Sequence, residues 1–306
     1  MYRLDIMFQF AVSLLFFILL LSSSAALSET KAPNEQITIL YDAFGRDDSL
    51  KKDWGFSALI EVEGKKILFD TGNNAEILAH NVKQKDVDLS DVDFVVISHR
   101  HGDHMGGLNY VLDVNPDVSI YAPKENFGVF GGSMPGSFYE QAKTLSKDKR
   151  YFDGNPPKKL KFGTPWPEGK FTWIQQTIEI APGFHVIYMH GDWGVDLPVK
   201  ELSLAIDTAN GTILLVGCSH PKIEKIVETT TSIIDKPIRL VVGGLHLLPA
   251  KKGKIKLIAE SLRDEWKIAN IAPGHCTGEP AFNILGQAFS NKYIYSGLGT
   301  VIPLAK

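Results

Sequence analysis

The chain has 306 residues, 44% hydrophobic and 22% charged, with 32 basic against 35 acidic side chains. This is the composition of a folded domain; it excludes intrinsic disorder, and 27 Gly with 16 Pro excludes a collagen-like or low-complexity chain. A net charge of −3 supplies no phosphate-tracking surface, so nucleic acid is not an expected partner, and two cysteines make at most one bridge.

Arg3 precedes an apolar run from Phe10 to Leu21, broken by Ser13, and then Ser22 to Ala26, all small residues. That order is the pattern of a secretory signal, so residues 1–26 are expected to be a signal peptide cleaved after Ala26. The stretch from Ile6 to Ala26 is also long enough to span a bilayer, and an uncleaved anchor is the one route to a membrane. In both cases the working part is expected outside the cytoplasm, periplasmic or extracellular.

Ile37 to Tyr41 predicts a first strand. Ser57 to Val62 and Lys66 to Phe69 flank a Gly64-Lys65 turn and predict a hairpin. Ala75 to Gln84 has helical spacing, and Phe94 to Ile97 is the short apolar run of a buried strand. Gly106 to Leu112 predicts a helix start, and Val118 to Tyr121 a further strand. From Ala122 to Lys170 the composition shifts to Gly, Pro and aromatics (Phe127, Phe130, Phe138, Tyr139, Tyr151, Phe152, Trp166), which predicts a packed functional insertion or lid. Leu202 to Ile206 and Thr212 to Val216 then form a hairpin about Thr208 to Gly211. Helices are expected over Ile223 to Ile233, Ile255 to Trp266 and Ala281 to Phe289. Strands are expected over Ile238 to Val242, Ile268 to Ile271 and near Tyr293. Two mixed sheets packed face to face, with helices outside, satisfy this order; the class is layered α/β or α+β.

Ser98-His99-Arg100-His101-Gly102-Asp103-His104 begins where an apolar strand ends. His99 and His101 can leave extended chain on one side, and Asp103 and His104 follow as the chain turns. Imidazole and carboxylate at one strand end are the ligands of Zn²⁺ and similar ions. Three later strands also end in small residues and a histidine: Gly217-Cys218-Ser219-His220, Gly243-Gly244-Leu245-His246 and Pro273-Gly274-His275-Cys276. One such histidine would be an ordinary hydrogen-bonded residue; three in register with the first cluster point to one shared site.

Two other chemistries meet the same residues and fail. Asp70-Thr71-Gly72 has the aspartic protease turn without a second copy to share its proton. Gly217 to Pro221 approaches a nucleophile elbow, but Pro221 occupies its last position. Cys218 and Cys276 stay open as a nucleophile, a ligand or a disulfide pair. His80 reads as plain surface, and His190 as a candidate for the pocket wall.

These residues resemble the metallo-β-lactamase fold superfamily, through His99-x-His101-x-Asp103-His104 and Phe69-Asp70-Thr71-Gly72. Gly217 to His220, Gly243 to His246 and Gly274 to Gly278 are similar to the dihydropterin-ribofuranosylaminobenzene phosphate synthase branch. The resemblance covers about residues 37–300 as a single domain, least well over the 122–170 insertion. It implies a four-layer αββα sandwich with one or two ions at the sheet edge: zinc, with iron or manganese as alternatives. His99, His101 and His220 would hold one ion, and Asp103, His104 and His275 the other. Many relatives supply a bridging Asp where this chain has Gly217-Cys218-Ser219, so either Cys218 bridges or nothing does. His246 is left as a base, a substrate contact or an alternative ligand. Asp70 would orient a ligand from behind.

The expected activity is hydrolysis of an ester, lactone, amide or phosphoester of a small molecule by metal-activated water, with Asp103 and His246 as catalytic groups and the insertion covering the substrate. A transferase like those of the resembling branch and a non-catalytic metal- or ligand-binding protein are the alternatives. Oligomeric state is not legible.

Overall fold

The computed structural model describes residues 35–125, 132–136, 141–162, 166–191 and 198–304. The expected signal peptide lies outside these residues, as do Phe127, Phe130, Phe138 and Tyr139 of the insertion. Among the described residues no helix is long and apolar enough to cross a membrane.

The first half runs β1 (Gln36–Tyr41), β2 (Ser57–Val62), β3 (Lys65–Phe69), α1 (Ala75–Gln84), β4 (Phe94–Val96), α2 (Gly102–Met105), α3 (Leu108–Val114) and β5 (Ser119–Pro123). Within the insertion come β6 (Gly132–Pro135) and β7 (Lys159–Phe162), which pair with each other as a two-stranded sheet. The second half runs β8 (Lys170–Ile174), β9 (Ile178–Ala181), β10 (Phe184–Gly191), β11 (Val199–Thr208), β12 (Gly211–Val216), α4 (Ile223–Ile233), β13 (Ile238–Gly244), α5 (Lys252–Glu260), β14 (Ile271–Gly274), α6 (Glu279–Phe289) and β15 (Val301–Pro303). One sheet has the order β15-β1-β2-β3-β4-β5-β8 and the other β14-β13-β12-β11-β10-β9.

Alternation along the strands makes three cores from two sheets. Ile60, Ile67 and Phe69 face Leu204, Ile213 and Leu215 between the sheets. Leu59 and Leu68 point the other way, onto α1 and α3, through Leu78 and Leu108. Leu214 and Val216 likewise point outward, onto α4, α5 and α6, through Ile226, Ile258 and Leu285. The architecture is therefore helix–sheet–sheet–helix. Each fully buried Leu or Ile in these layers contributes about 1.5–3 kcal/mol by leaving water.

Local signals explain most boundaries. Asn74 caps α1 by accepting from the backbone N–H of Glu76 at 2.9 Å and of Ile77 at 3.0 Å. The β2–β3 turn sits one residue earlier than expected: Val62 pairs with Lys65, and Glu63 and Gly64 both have positive φ, as a two-residue hairpin turn requires. The strand expected over Ile268 to Ile271 instead starts at Ile271, because parallel pairing with β13 begins at Val241 opposite Ile271. Near Tyr293 there is only an isolated bridge to Ile271, and the terminal strand is β15. A helical turn already forms at α2, inside the histidine motif, ahead of the expected start at Gly106. In the insertion, Trp166 packs against the α1/α3 core, but Tyr151 and Phe152 are exposed rather than packed.

Parallel pairing fixes where the site lies. β3, β4 and β5 run parallel in one sheet, and β12, β13 and β14 in the other. The loops after β3, β4, β12, β13 and β14 carry all the histidine motifs. The sheets are tied at this edge by Leu202 N–H donating to the Ser98 carbonyl at 2.8 Å.

Candidate metal centre

Four strand-end residues take left-handed backbone: Asp70 (φ 58°), Ser219 (φ 62°), His246 (φ 52°) and His275 (φ 47°). Asp and His are among the side chains that tolerate this region best, and it turns each loop sharply at the sheet edge. Gly217 permits close packing there: a Cβ at that position would fall 2.2 Å from Ser98 Oγ.

The turns bring His99, His101, Asp103, His104, His220, His275 and Cys218 to one place. His99 Nε2 lies 3.0 Å from His101 Nδ1, and His104 Nε2 lies 3.1 Å from His275 Nε2. Cys218 Sγ is 3.3 Å from His104 Nε2, and Asp103 Oδ2 is 3.4 Å from His275 Nε2. Two donor groups result, His99–Cys218–His220 and His104–Cys218–His275, each with its ligand atoms within 4.8 Å of one another. His246 stands beside them, its ring centroid 4.5 Å from that of His220.

The outer nitrogens of three of these rings, His99, His104 and His220, are occupied. His104 Nδ1 donates to Asp70 Oδ2 at 2.7 Å. Asp70 also accepts from Ser98 N–H at 2.7 Å and from Ser98 Oγ at 2.8 Å. With its proton given to Asp70, Ser98 Oγ accepts from His99 Nδ1 at 2.8 Å. His220 Nδ1 donates to Glu201 Oε2 at 2.8 Å. In the neutral form of each of these three rings Nε2 is the lone-pair nitrogen, and those of His99 and His104 face neighbouring imidazoles. This tautomer lock through a carboxylate or hydroxyl is how metal-binding histidines are held. The donor set thus fits a borderline cation such as zinc.

Electrostatics agree. Burial and the crowd of imidazoles hold His99 and His275 well below the usual histidine range. Burial and His220 bring His101 down to about 4. Burial also works against charging His104, but the Asp70 carboxylate outweighs it and holds that ring up, at about 9. His99, His101 and His275 are therefore neutral, as ligands must be, and His104 has to shed a proton to join them.

Several contributors carried no motif in the sequence. Glu201 is buried on β11 and collects four donors: the backbone N–H groups of Cys218, Ser219 and His220, and the His220 ring. Asp42 accepts from His275 N–H at 2.9 Å, and burial pushes its carboxyl up to about 8. Trp54, 44% exposed, overlies His275 with ring centroids 5.0 Å apart. Cys276 and Cys218 are free thiols with their sulfurs 3.4 Å apart, so the disulfide alternative is not the one this structure adopts. His80 is half-buried and bonds the Ser49 carbonyl at 2.9 Å, rather than standing as plain surface. His190 is exposed and bonds Tyr188 Oη at 3.0 Å.

A sequence model of the metallo-β-lactamase superfamily matches residues 55–196, which carry the His99-to-His104 motif. Over that stretch the chain is similar to the metallo-β-lactamase superfamily. The chain is 28% identical to the 7,8-dihydropterin-6-methyl-4-(β-D-ribofuranosyl)-aminobenzene-5'-phosphate synthase of Methanocaldococcus jannaschii, over 87% of this chain and 95% of that protein. It shares its fold with Tm1679, a metal-dependent hydrolase of the β-lactamase superfamily (TM-score 0.67, 24% identity, 89% of this chain and 100% of that one). It also shares it with the metallo-β-lactamase fold protein YhfI of Bacillus subtilis (TM-score 0.55, 14% identity, 87% and 98%).

Proposed function

We propose that this chain is a metallo-β-lactamase superfamily protein, a metal-dependent hydrolase of a small ester, lactone, amide or phosphoester. The observation that carries the reading is the pair of donor groups meeting at Cys218, with inward nitrogens locked by Asp70, Ser98 and Glu201. His99, His101 and His220 would hold one ion, and Asp103, His104 and His275 the other, with Cys218 between them. Zinc suits these donors best, and iron or manganese would use the same residues. When bound, such an ion supplies a Lewis acid for the developing oxyanion and lowers the pKa of water to about 7.

The chain's own groups do the rest. Asp103, partly open to solvent, offers a carboxylate oxygen next to His104 and His275 as a proton acceptor. His246 lines a cavity of about 220 Å³ with His220, Leu245 and Leu247, where it contacts the substrate and can protonate a leaving group. Trp54 closes the side over His275. On sequence grounds we assign the mature protein to the periplasm or the extracellular space.

A transferase is the second reading, favoured by similarity that spans 95% of the M. jannaschii synthase. Elemental analysis of purified wild type and His101→Ala tests the site: wild type is expected to hold one or two ions and the variant fewer. Unchanged metal content would sink the assignment. Turnover across a panel of ester, lactone and phosphodiester substrates separates hydrolase from transferase. Bound metal with no turnover there, and none with a pterin and ribosyl-aminobenzene phosphate pair, would leave a binding protein.

A further inference from the structure

Behind the histidine groups lies a third set of donors of different chemistry. Cys276 Sγ is 3.4 Å from Cys218 Sγ, and with His246 the two thiols form a group whose ligand atoms all lie within 4.8 Å. Both thiols are buried, at 4% and 3% exposure, in loops fixed by β12 and β14. Two thiolates on one tetrahedral ion, with bonds of about 2.3 Å, stand roughly 3.8 Å apart. The pair therefore needs to open by only a few tenths of an ångström to chelate. His246 sits on a loop rather than a strand and is the one of the three that lines a cavity of about 220 Å³, walled by Glu224 as well as Lys222 and Lys254, so the path for an ion runs past His246. Ligand number, spacing and an entry path are the tests a new metal site must meet.

We propose that Cys218, Cys276 and His246 form a second, softer metal site that takes a thiophilic cation. Each thiol releases its proton to solvent as its sulfur takes the ion. Thiolate donors select zinc, cadmium or cuprous copper over hard cations, so this site and the histidine-rich groups differ in preference. They are also coupled, because Cys218 belongs to all three groups. An ion held by the two sulfurs competes for Cys218 with the ions held by the histidines, which makes this site inhibitory. The inference does not depend on which bond the enzyme cleaves, since neither histidine group uses Cys276 or His246.

Cadmium titration of the metal-free full chain, followed by cadmium NMR, tests it, because the shift reports how many sulfurs bind the ion. Wild type is expected to show a two-sulfur resonance. Cys276→Ser is expected to convert it to a one-sulfur resonance, and His246→Ala to keep its shift with at least tenfold weaker affinity. The resonance is expected to survive in His101→Ala, whose failure to lose metal would instead count against the histidine assignment. A wild-type spectrum without a two-sulfur resonance overturns the proposal and needs no variant to fold. So does a two-sulfur resonance that persists in Cys276→Ser.

Discussion

Asp70 Oδ2 accepts a hydrogen bond from His104 Nδ1 at 2.7 Å, and both side chains are fully buried. The same carboxylate takes both the N–H and the hydroxyl of Ser98, whose oxygen in turn orients His99. One acid thus sets a ring in each of the two donor groups. Asn at position 70 keeps the left-handed backbone, which Asn adopts readily, but offers one acceptor oxygen where three donors arrive. Asp70→Asn is expected to weaken metal binding by about 10–100-fold, read by competition with a chromophoric chelator. Wild-type affinity in the variant would show that Asp70 does not orient the rings.

Glu201 does for His220 what Asp70 does for His104. Glu201→Gln loses the acceptor oxygen shared by the His220 ring and the His220 backbone N–H. Leaving such buried donors unpaired costs about 1–3 kcal/mol. The expected result is a lower Tm together with weaker binding of the ion assigned to His99 and His220, while the other ion stays. Isothermal titration that finds both ions weakened equally would contradict the division into two groups.

The contrast between these two acids shows what was legible. Asp70 announces itself in a short turn next to a strand, and the histidines follow strands in a repeated local pattern, so spacing alone brings them together. Glu201 is the third residue of β11, next to Lys200, with no motif around it. Its meaning depends on which face of β11 it occupies, and that is set by pairing with β10 and β12 rather than by neighbours in the chain. Asp42 and Trp54 reach His275 from more than two hundred residues away, a relationship no local pattern encodes. The fold's layers were readable because period-two alternation on both sheets demands a covered outer face. The start of β14 was not, because Ile268 is apolar for packing under α5 and not for pairing in the sheet.

Gly217 is where packing and site meet. An added Cβ would stand 2.2 Å from Ser98 Oγ and 3.1 Å from Asp70 Oδ2. Ser98 cannot simply rotate away, because its hydroxyl links Asp70 to His99. Gly217→Ala is expected to destabilise the fold by about 1–3 kcal/mol, as overpacking does, and to lower metal occupancy with it. Chemical denaturation and elemental analysis on the same sample check both. Full occupancy with an unchanged midpoint would mean that the Ser98 link is dispensable.

Metal should also act on the stability of the whole domain. His99, His104, His220 and His275 are all buried, and their inward nitrogens face one another instead of water. An ion that binds only the folded arrangement stabilises it by mass action, by about 2.7 kcal/mol per site when free metal is 100 times its Kd. At the roughly 2–4 °C per kcal/mol typical of large domains, zinc should raise Tm by about 5–10 °C over the chelator-treated protein. The rise should grow with the logarithm of free zinc, and it should shrink in His101→Ala, whose ring lies against His99 and is proposed to share its ion. Scanning calorimetry at several buffered zinc concentrations makes the comparison. A Tm that ignores zinc in the wild type would mean that these histidines do not bind it in the folded state, and the hydrolytic reading would go with them.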